Sequence, residues 1–402
     1  MNTSGVKKAL WIGLAGTAAT ALGIPVSGAH AVATSWLVGF GFWAAAAIGM
    51  LMMIAIWHVF DSSWSVVLRR QFEHGLAAFP WLALMLLPLI LASYFWQRDI
   101  VWPWMNPLHP MHGGRTVGTD VIYEKKEAFL NFPLFTVLSI GFFALWIWIS
   151  ARLRKASFTQ DSDGDVRWTH VARFTSAFGI PVVALTLTAA AIYWFKSLEY
   201  HWFSTMYGVW YFSDCMRAAL SFGVIIMLWL NDRGDFRGIL KTDHLWAIGQ
   251  LMLTFTVFWA YISFDQYFLI WNANVPEETF WYNIREYGDW WYVSLFLVFG
   301  NFLLPFLLLL SYRYKVTHAA IRRIAYLILF VIFIDIAYNI LPALKDGKGN
   351  PLAFLSVRLL WSVTSLVGVG GFCAAAYLRS LATTRLIPIR DPRISECLHQ
   401  NE

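Results

Sequence analysis

Charged side chains lie inside stretches of this sequence that are otherwise apolar, where an ionised group needs a partner or water. Asp214 and Arg217 are three residues apart, so on a helix they share a face and can pair. Asp335 lies near the middle of another stretch, one turn before Tyr338 and Asn339, with no basic residue within a turn. A carboxyl without a charged partner in hydrocarbon is a candidate reversible proton carrier. Proton transfer is therefore the suggested chemistry, with Asp335 the leading residue and Asp214–Arg217 either a structural pair or part of the path.

Other polar groups lie nearer the ends of these stretches. Asp265, with Tyr261 one turn away, and Arg358 are near ends that we expect to face outward, where they could line a proton exit or form an interhelical salt bridge. His58 lies near the end of the second stretch and Glu73 shortly before the third, which suggests a proton entry or a polar contact between helices. The resulting hypothesis is a discontinuous proton route through His58, Glu73, Asp214, Arg217, Asp335 and Asp265.

Composition identifies the elements that must position these groups. Of the 402 residues, 58% are hydrophobic and only 13% are charged, whereas soluble domains have about a quarter charged. Apolar runs of about twenty residues can cross a bilayer as helices. We predict an all-α integral membrane protein with a single polytopic membrane domain, residues 1–402. The ten predicted helices cover residues 9–28, 35–60, 75–96, 128–153, 174–198, 205–230, 245–271, 289–311, 324–344 and 354–381.

The distribution of basic residues predicts the orientation. Most of the 30 Lys and Arg lie in the terminal segments and in the connections that share their side of the membrane. Because cytoplasmic segments are enriched in Lys and Arg, both termini are predicted to be cytoplasmic. The net charge of +6 is thus explained by topology and anionic lipid, and nothing points to nucleic acid.

The ligands for a redox cofactor are missing from the sequence. There is no Cys-x-x-Cys-His motif for c-type haem, and the three cysteines cannot build a four-thiolate iron–sulfur site. Of the ten histidines only His58 lies inside an apolar run, so a bis-histidine b-type haem is not expected. We predict no metal and no resident redox cofactor in this chain.

The connection between the seventh and eighth runs is rich in aromatic residues. Pro276 suits a first helical position, and acidic residues follow in the first turn, which predicts a short helix at the membrane surface. This helix is either an anchor between two spans or a docking surface for another subunit. The candidate outer interface consists of Pro276, Glu277, Glu278, Phe280, Trp281 and Arg285.

At the same connection the sequence resembles a known family. The segment FWAYISFDQYFLIWNANVPEETFWY, residues 258–282, is similar to the F subunit of alternative complex III, also called quinone-binding subunit 2, within the NrfD-like polysulfide-reductase membrane subunits. Further similar segments are SLEYHWFSTMYGVWYF (197–212), NFLLPFLLLLS (301–311), WSVVLRRQFE (64–73) and PIRDPRISECL (388–398). The chain departs from the family pattern at Asp265, where Ser is expected, and at Asn301, where His is expected.

The resemblance implies a cofactor-free, ten-helix subunit of a quinol:cytochrome c oxidoreductase in the bacterial inner membrane. Its central eight helices would form two four-helix bundles, and the subunit would have a structural or proton-conducting role. The implied partners are a homologous quinone-binding membrane subunit, an iron–sulfur subunit, multihaem and monohaem c-type cytochromes and a terminal oxidase. Haem c and iron–sulfur clusters would belong to those partners.

Two other functions remain open on the sequence. The chain could itself bind and oxidise quinol, with His201 and Trp202 lining the quinone pocket near the outer surface. It could also be a free-standing secondary transporter, although no pair of interrupted short helices appears in matching halves. Bound quinone near a partner's redox centre would favour the first alternative, and purification as a solitary chain without haem would favour the second.

Overall fold

The computed structural model describes residues 3–111, 114–346 and 349–399 and confirms an all-α membrane protein. Within these ranges ten helices are long and apolar enough to span a bilayer, in agreement with the ten predicted from the sequence. They are α1 (Ser4–Ser27), α2 (Ala29–Val59), α3 (Val66–Phe95), α4 (Phe132–Asp163), α5 (Arg167–Trp194), α6 (Tyr207–Asp232), α7 (Thr242–Ala273), α8 (Trp290–Leu310), α9 (His318–Ala343) and α10 (Val357–Thr383).

The third helix begins earlier than the sequence predicted. The sequence placed residues 64–74 in a connection because of their charges, whereas α3 starts at Val66 and turns through a short 3-10 segment, Leu76–Ala78. Arg69 and Arg70 are 1% and 0% exposed because acidic groups elsewhere in the chain pair with them. Hydropathy along the chain cannot detect such distant partners.

Helix α2 lies at the centre of the fold and is buried along almost its whole length. It packs against α5, α6, α9 and α10, while α1 lies on the outside against α10. Glycines allow the closest approaches: a side chain at Gly49 of α2 would overlap the carbonyl oxygen of Cys215 in α6. Small residues at such contacts let backbones pack closely where lipid supplies no hydrophobic driving force. Asp214 directly precedes Cys215 in α6, and Arg217 follows it within one turn. The α2–α6 contact therefore fixes the position of both charged residues.

Replacing Gly49 with alanine is expected to lower the melting temperature of the purified protein by several degrees. The added methyl group would force α2 and α6 apart, and overpacking of this kind costs about 1–3 kcal/mol. Gly141→Ala in α4 is the matched control, because a side chain there meets no atom within 4 Å. Equal melting temperatures for the two variants would mean that the α2–α6 contact is not tight.

Two further elements position the site. A short helix, Pro276–Arg285, connects α7 to α8, as predicted; we call it the connecting helix. Within α8, Leu297–Leu303 form a π-helical segment that includes Asn301. Since π-helical turns inside α-helices occur frequently at functional sites, the neighbourhood of Asn301 is of particular interest.

Candidate functional site

Arg217 is fully buried between α6 and α8 and has two partners. Its Nη1 atom is 3.4 Å from Oδ1 of Asp214, the predicted i, i+3 pair. Its Nη2 atom donates to the side-chain oxygen of Asn301 at 2.5 Å and to the Asn301 carbonyl oxygen at 3.1 Å. The shorter bonds therefore go to the π-helical segment. Oδ2 of Asp214 and Nδ2 of Asn301 are buried without a hydrogen-bond partner among the described residues.

Asp335 is not isolated, contrary to the expectation from its own helix. Its Oδ2 atom accepts hydrogen bonds from the indole nitrogens of Trp210 at 3.0 Å and Trp259 at 2.7 Å. Its other oxygen faces Nδ2 of Asn339 at 3.5 Å. The carboxyl of Asp214 is also within hydrogen-bonding reach of Asp335. Residues of α6, α7 and α9 thus converge on one carboxyl.

The three charged groups Asp214, Arg217 and Asp335 form what we call the carboxyl cluster. All three are at most 2% exposed. Two carboxylates against one guanidinium would leave an uncompensated negative charge in a medium of low dielectric constant, which is unfavourable. The cluster is neutral only when Asp214 and Asp335 hold one proton between them. That proton can form a hydrogen bond between the two carboxyls.

A cavity of about 680 Å³ adjoins the cluster. Asp335, Tyr207, Trp210, Trp259, Tyr338 and Asn339 contribute to its wall. Toward the surface the wall is formed by Tyr261 and Phe264 of α7 and by Trp291 and Val298 of α8, side chains that are 45–65% exposed. The cavity therefore opens sideways between α7 and α8, at a surface that would face lipid or a partner subunit. It is large enough for an organic ring system.

The connecting helix closes one end of this cavity with Trp281 and Tyr282. Arg285 is 1% exposed, lies 3.4 Å over the Trp281 ring, and donates to the carbonyl oxygens of Tyr338 and Asn339 at the end of α9. Burial lowers the pKa of Arg285 to about 10, despite the opposing effect of nearby Tyr338. Cations at the carbonyl end of a helix are favourable, so Arg285 fixes α9, the helix that carries Asp335.

This arrangement corrects part of the predicted outer interface. Trp281 and Arg285 are directed into the protein and are not available to a partner. Pro276 and Glu277 are exposed, and Glu278 and Phe280 are half-buried, so these four remain at the surface. The sequence could not separate the two groups because both faces of this helix carry aromatic or charged residues.

On the opposite face of the fold, which carries the described parts of both termini, Glu73 belongs to an ion-pair network. It is 3.0 Å from Nε of Arg70 and accepts a hydrogen bond from Ser157 at 2.6 Å. Arg69 lies 3.8 Å from Glu73 and pairs with Asp391 in the C-terminal tail. His58 is buried near this network, but neither ring nitrogen has a hydrogen-bond partner among the described residues. No direct contact in this region joins His58 to Glu73.

The remaining predicted route residues lie apart from the cluster. Asp265 is half-buried on α7 but does not line the cavity, although its neighbours Phe264 and Gln266 do. Arg358 is half-buried at the start of α10, and its Nε atom has no hydrogen-bond partner among the described residues. Of the six route residues, the structure brings only Asp214, Arg217 and Asp335 into contact.

His201 and Trp202 do not line the cavity. Trp202 is fully buried beneath the connecting helix, with its ring stacked 4.4 Å from that of Trp281. His201 pairs instead with Asp120, at 2.7 Å. Asp120 also accepts hydrogen bonds from the Tyr200 hydroxyl at 2.8 Å and from the backbone of Ile122, in the first turn of a short helix, Val121–Lys126. This contact joins two connections on the cavity side of the protein.

Replacing Asp120 with alanine is expected to accelerate hydrogen exchange in residues 121–126 and 200–202, because a helix cap and two side-chain bonds are lost. The local cost is about 1–2 kcal/mol. Burial alone would raise the pKa of Asp120, but its hydrogen bonds and the His201 charge hold the pKa below its ordinary value. The stabilisation is therefore present above about pH 4 and is lost as pH falls through the lower folded-state pKa. The exposed Glu124→Ala is the control; equal exchange in both variants would contradict this role.

Sequence reasoning did not identify three residues of the site. Trp210 and Trp259 are indistinguishable in sequence from the other tryptophans of an apolar run, which usually pack in the core or at the membrane surface. Asn301 was noted only as a departure from a family pattern, and its contact with Arg217 depends on the π-helical turn. No family model matches this chain, and no curated protein matches it.

Proposed function

We propose that this chain is a cofactor-free membrane subunit of a quinol:cytochrome c oxidoreductase of the alternative complex III type, and that its carboxyl cluster carries protons. Membership rests on the sequence resemblance over residues 197–212, 258–282 and 301–311. The proton-carrying role rests on one observation: Asp214 and Asp335 are two buried carboxyls with a single guanidinium beside them, and Asp335 lies at the wall of a cavity. Such a cluster is neutral with one proton and can exchange it.

The surroundings of the cluster favour proton exchange over a purely structural ion pair. A structural pair would be satisfied by tight, matched hydrogen bonds. Here Arg217 is 3.4 Å from Asp214 and bonds more closely to Asn301, so the pair is loose. The hydroxyl groups of Tyr207 and Ser221, on the same side of α6, are buried without a hydrogen-bond partner among the described residues. Such hydroxyls are suited to bind water, which can relay a proton along α6.

The cavity favours a second function, the binding of quinol by this chain. Half of the residues in its wall are aromatic, it opens sideways between α7 and α8, and Asp335 lies at its inner end. A lipid-soluble quinol could enter from the membrane and release protons to the cluster while the redox centre of a partner subunit accepts its electrons. Extraction and mass spectrometry of quinone from the purified chain, compared with an Ala260→Trp variant that fills the cavity wall, would distinguish this function from proton conduction alone.

The proposed function implies an orientation in the membrane, an arrangement of the helices and a set of partner subunits. The termini would be cytoplasmic, and the cavity and the connecting helix would lie toward the outer surface of a bacterial inner membrane. The pairwise packing of helices supports two four-helix bundles, α2–α5 and α6–α9, with α1 and α10 at the side. A homologous membrane subunit, an iron–sulfur subunit and c-type cytochromes would accompany the chain, and the exposed Pro276–Glu277 end of the connecting helix is available to one of them.

Affinity purification in mild detergent tests the subunit assignment directly. The expected result is that multihaem c-type cytochrome and iron–sulfur subunits accompany the chain in constant ratio, as measured by haem staining and mass spectrometry. Recovery of a solitary, colourless chain would contradict the proposal and favour the secondary transporter.

A further inference from the structure

Two lysines share one aromatic ring on the cavity side of the protein. Lys126 ends the short helix Val121–Lys126 before α4, and Lys196 lies in the turn that follows α5. The Nζ atom of Lys126 is 3.9 Å from the centre of the Phe203 ring, and that of Lys196 is 5.7 Å from the same centre. Two positive charges are thus held together by separate parts of the chain.

This pair of charges is compensated only in part, by the charge of Asp120 acting on Lys126. The Lys126 amine donates to the Tyr200 carbonyl oxygen, and neither lysine forms an ion pair with a described residue. Glu199, the acidic residue in the same turn as Lys196, pairs with Lys345 at 3.0 Å. Burial, together with the charge of Lys126, lowers the pKa of Lys196 to about 8. The fold therefore holds two cations where an anion would relieve their repulsion.

The position of the pair indicates where that anion would come from. Lys196 lies two residues beyond the end of α5, and Lys126 lies six residues before the start of α4, so both are at the end of the membrane-spanning region. Phe203 and Phe129 beside them are 49% and 45% exposed. Exposed aromatic rings and lysines at helix ends are typical of the headgroup region of a bilayer.

We propose that Lys126 and Lys196 bind the phosphate of an anionic phospholipid, whose acyl chains lie along the exposed apolar surface of α4 and α5. Lysine acts toward phosphate as a point charge, so two amines beside one ring can contact one phosphodiester without a fixed fork geometry. The exposed apolar side chains that the acyl chains would cover include Val137 and Ile140 of α4 and Leu185 of α5. This site is separate from the carboxyl cluster and does not depend on the proposed function.

The test compares two double variants of the full-length protein that remove the same net charge. Lys126→Gln/Lys196→Gln changes the proposed site, and Arg98→Gln/Lys125→Gln changes two exposed cations on the same side. Phosphatidylglycerol, phosphatidylcholine and inorganic phosphate are added separately, and lipid retention by native mass spectrometry and the melting temperature are measured. Lipid-free melting temperatures show that each variant is folded.

The expected result is that phosphatidylglycerol raises the melting temperature more than phosphatidylcholine, and that the site variant retains phosphatidylglycerol roughly tenfold less than the control variant. Equal retention by the two variants would overturn the assignment of the site. Equal stabilisation by phosphatidylcholine would overturn the requirement for an anionic headgroup. If inorganic phosphate stabilises the protein as much as phosphatidylglycerol does, the ligand is free phosphate and the assignment of a lipid is overturned.

Discussion

Replacing Arg217 with methionine is expected to prevent the protein from accumulating in folded form. Methionine approximates the length of the side chain but leaves Asp214 without its cation and removes the donor that Arg217 supplies to both oxygens of Asn301. Removing one partner of a buried ion pair costs about 3–5 kcal/mol, which is a large fraction of the stability of most proteins. Fluorescence-detected size exclusion of detergent extracts measures the folded yield, and thermal unfolding measures any folded remainder.

The control for this prediction is the double variant Arg217→Met/Asp214→Leu. It removes the charge together with its partner, so it is expected to recover much of the yield that Arg217→Met loses. Asp335 would then be the single carboxyl of the site and could remain protonated, with the indoles of Trp210 and Trp259 still bound to it. A wild-type melting temperature for Arg217→Met alone would contradict the role of Arg217 in balancing the cluster.

Replacing Asp335 with asparagine is expected to remove the shared proton while preserving the fold. The amide oxygen can accept the two indole hydrogen bonds, and the amide nitrogen can donate to Asp214 as a protonated carboxyl would. Asp214 and Arg217 are then neutral as an ion pair, so no proton is needed. Infrared spectroscopy of the purified protein should show a protonated carboxyl band that is absent from Asp335→Asn.

Two further variants make this spectroscopic prediction specific. Asp214→Asn is expected to lose the same band, because Asp335 then balances Arg217 without a proton. Asp265→Asn is expected to keep it, because Asp265 is outside the cluster and does not line the cavity. Persistence of the band in both cluster variants would mean that Asp214 and Asp335 do not share a proton.

Composition and hydropathy were sufficient to predict the membrane-spanning helices, because each must satisfy its backbone and cover its surface within its own segment. The start of α3 was predicted about nine residues too late, because Arg69 and Arg70 are charged and their partners Asp391 and Asp161 are distant in sequence. Hydropathy along the chain therefore predicts the helices, whereas ion pairs with residues distant in sequence determine where α3 begins.

The carboxyl cluster was predictable in its members but not in its geometry. Charge inside an apolar run identified Asp214, Arg217 and Asp335 individually, and helical spacing joined the first two. Nothing along the chain indicated that α6 and α9 bring Asp335 to Asp214, since that contact depends on close packing around α2. The sequence also suggested one route through His58, Glu73 and Asp265, because their positions along the predicted helices imply different depths in the membrane. In the structure these three residues do not contact the cluster.

We propose that the carboxyl cluster carries protons, and the most direct test is the number of protons moved per electron in vesicles that contain the proposed oxidoreductase, purified through this chain. The wild-type assembly and one with Asp335→Asn would be compared at matched rates of cytochrome c reduction, with Asp265→Asn as the control. We expect fewer protons per electron for Asp335→Asn and an unchanged ratio for Asp265→Asn. An unchanged ratio for Asp335→Asn in a fully assembled, electron-transferring complex would contradict the proposal.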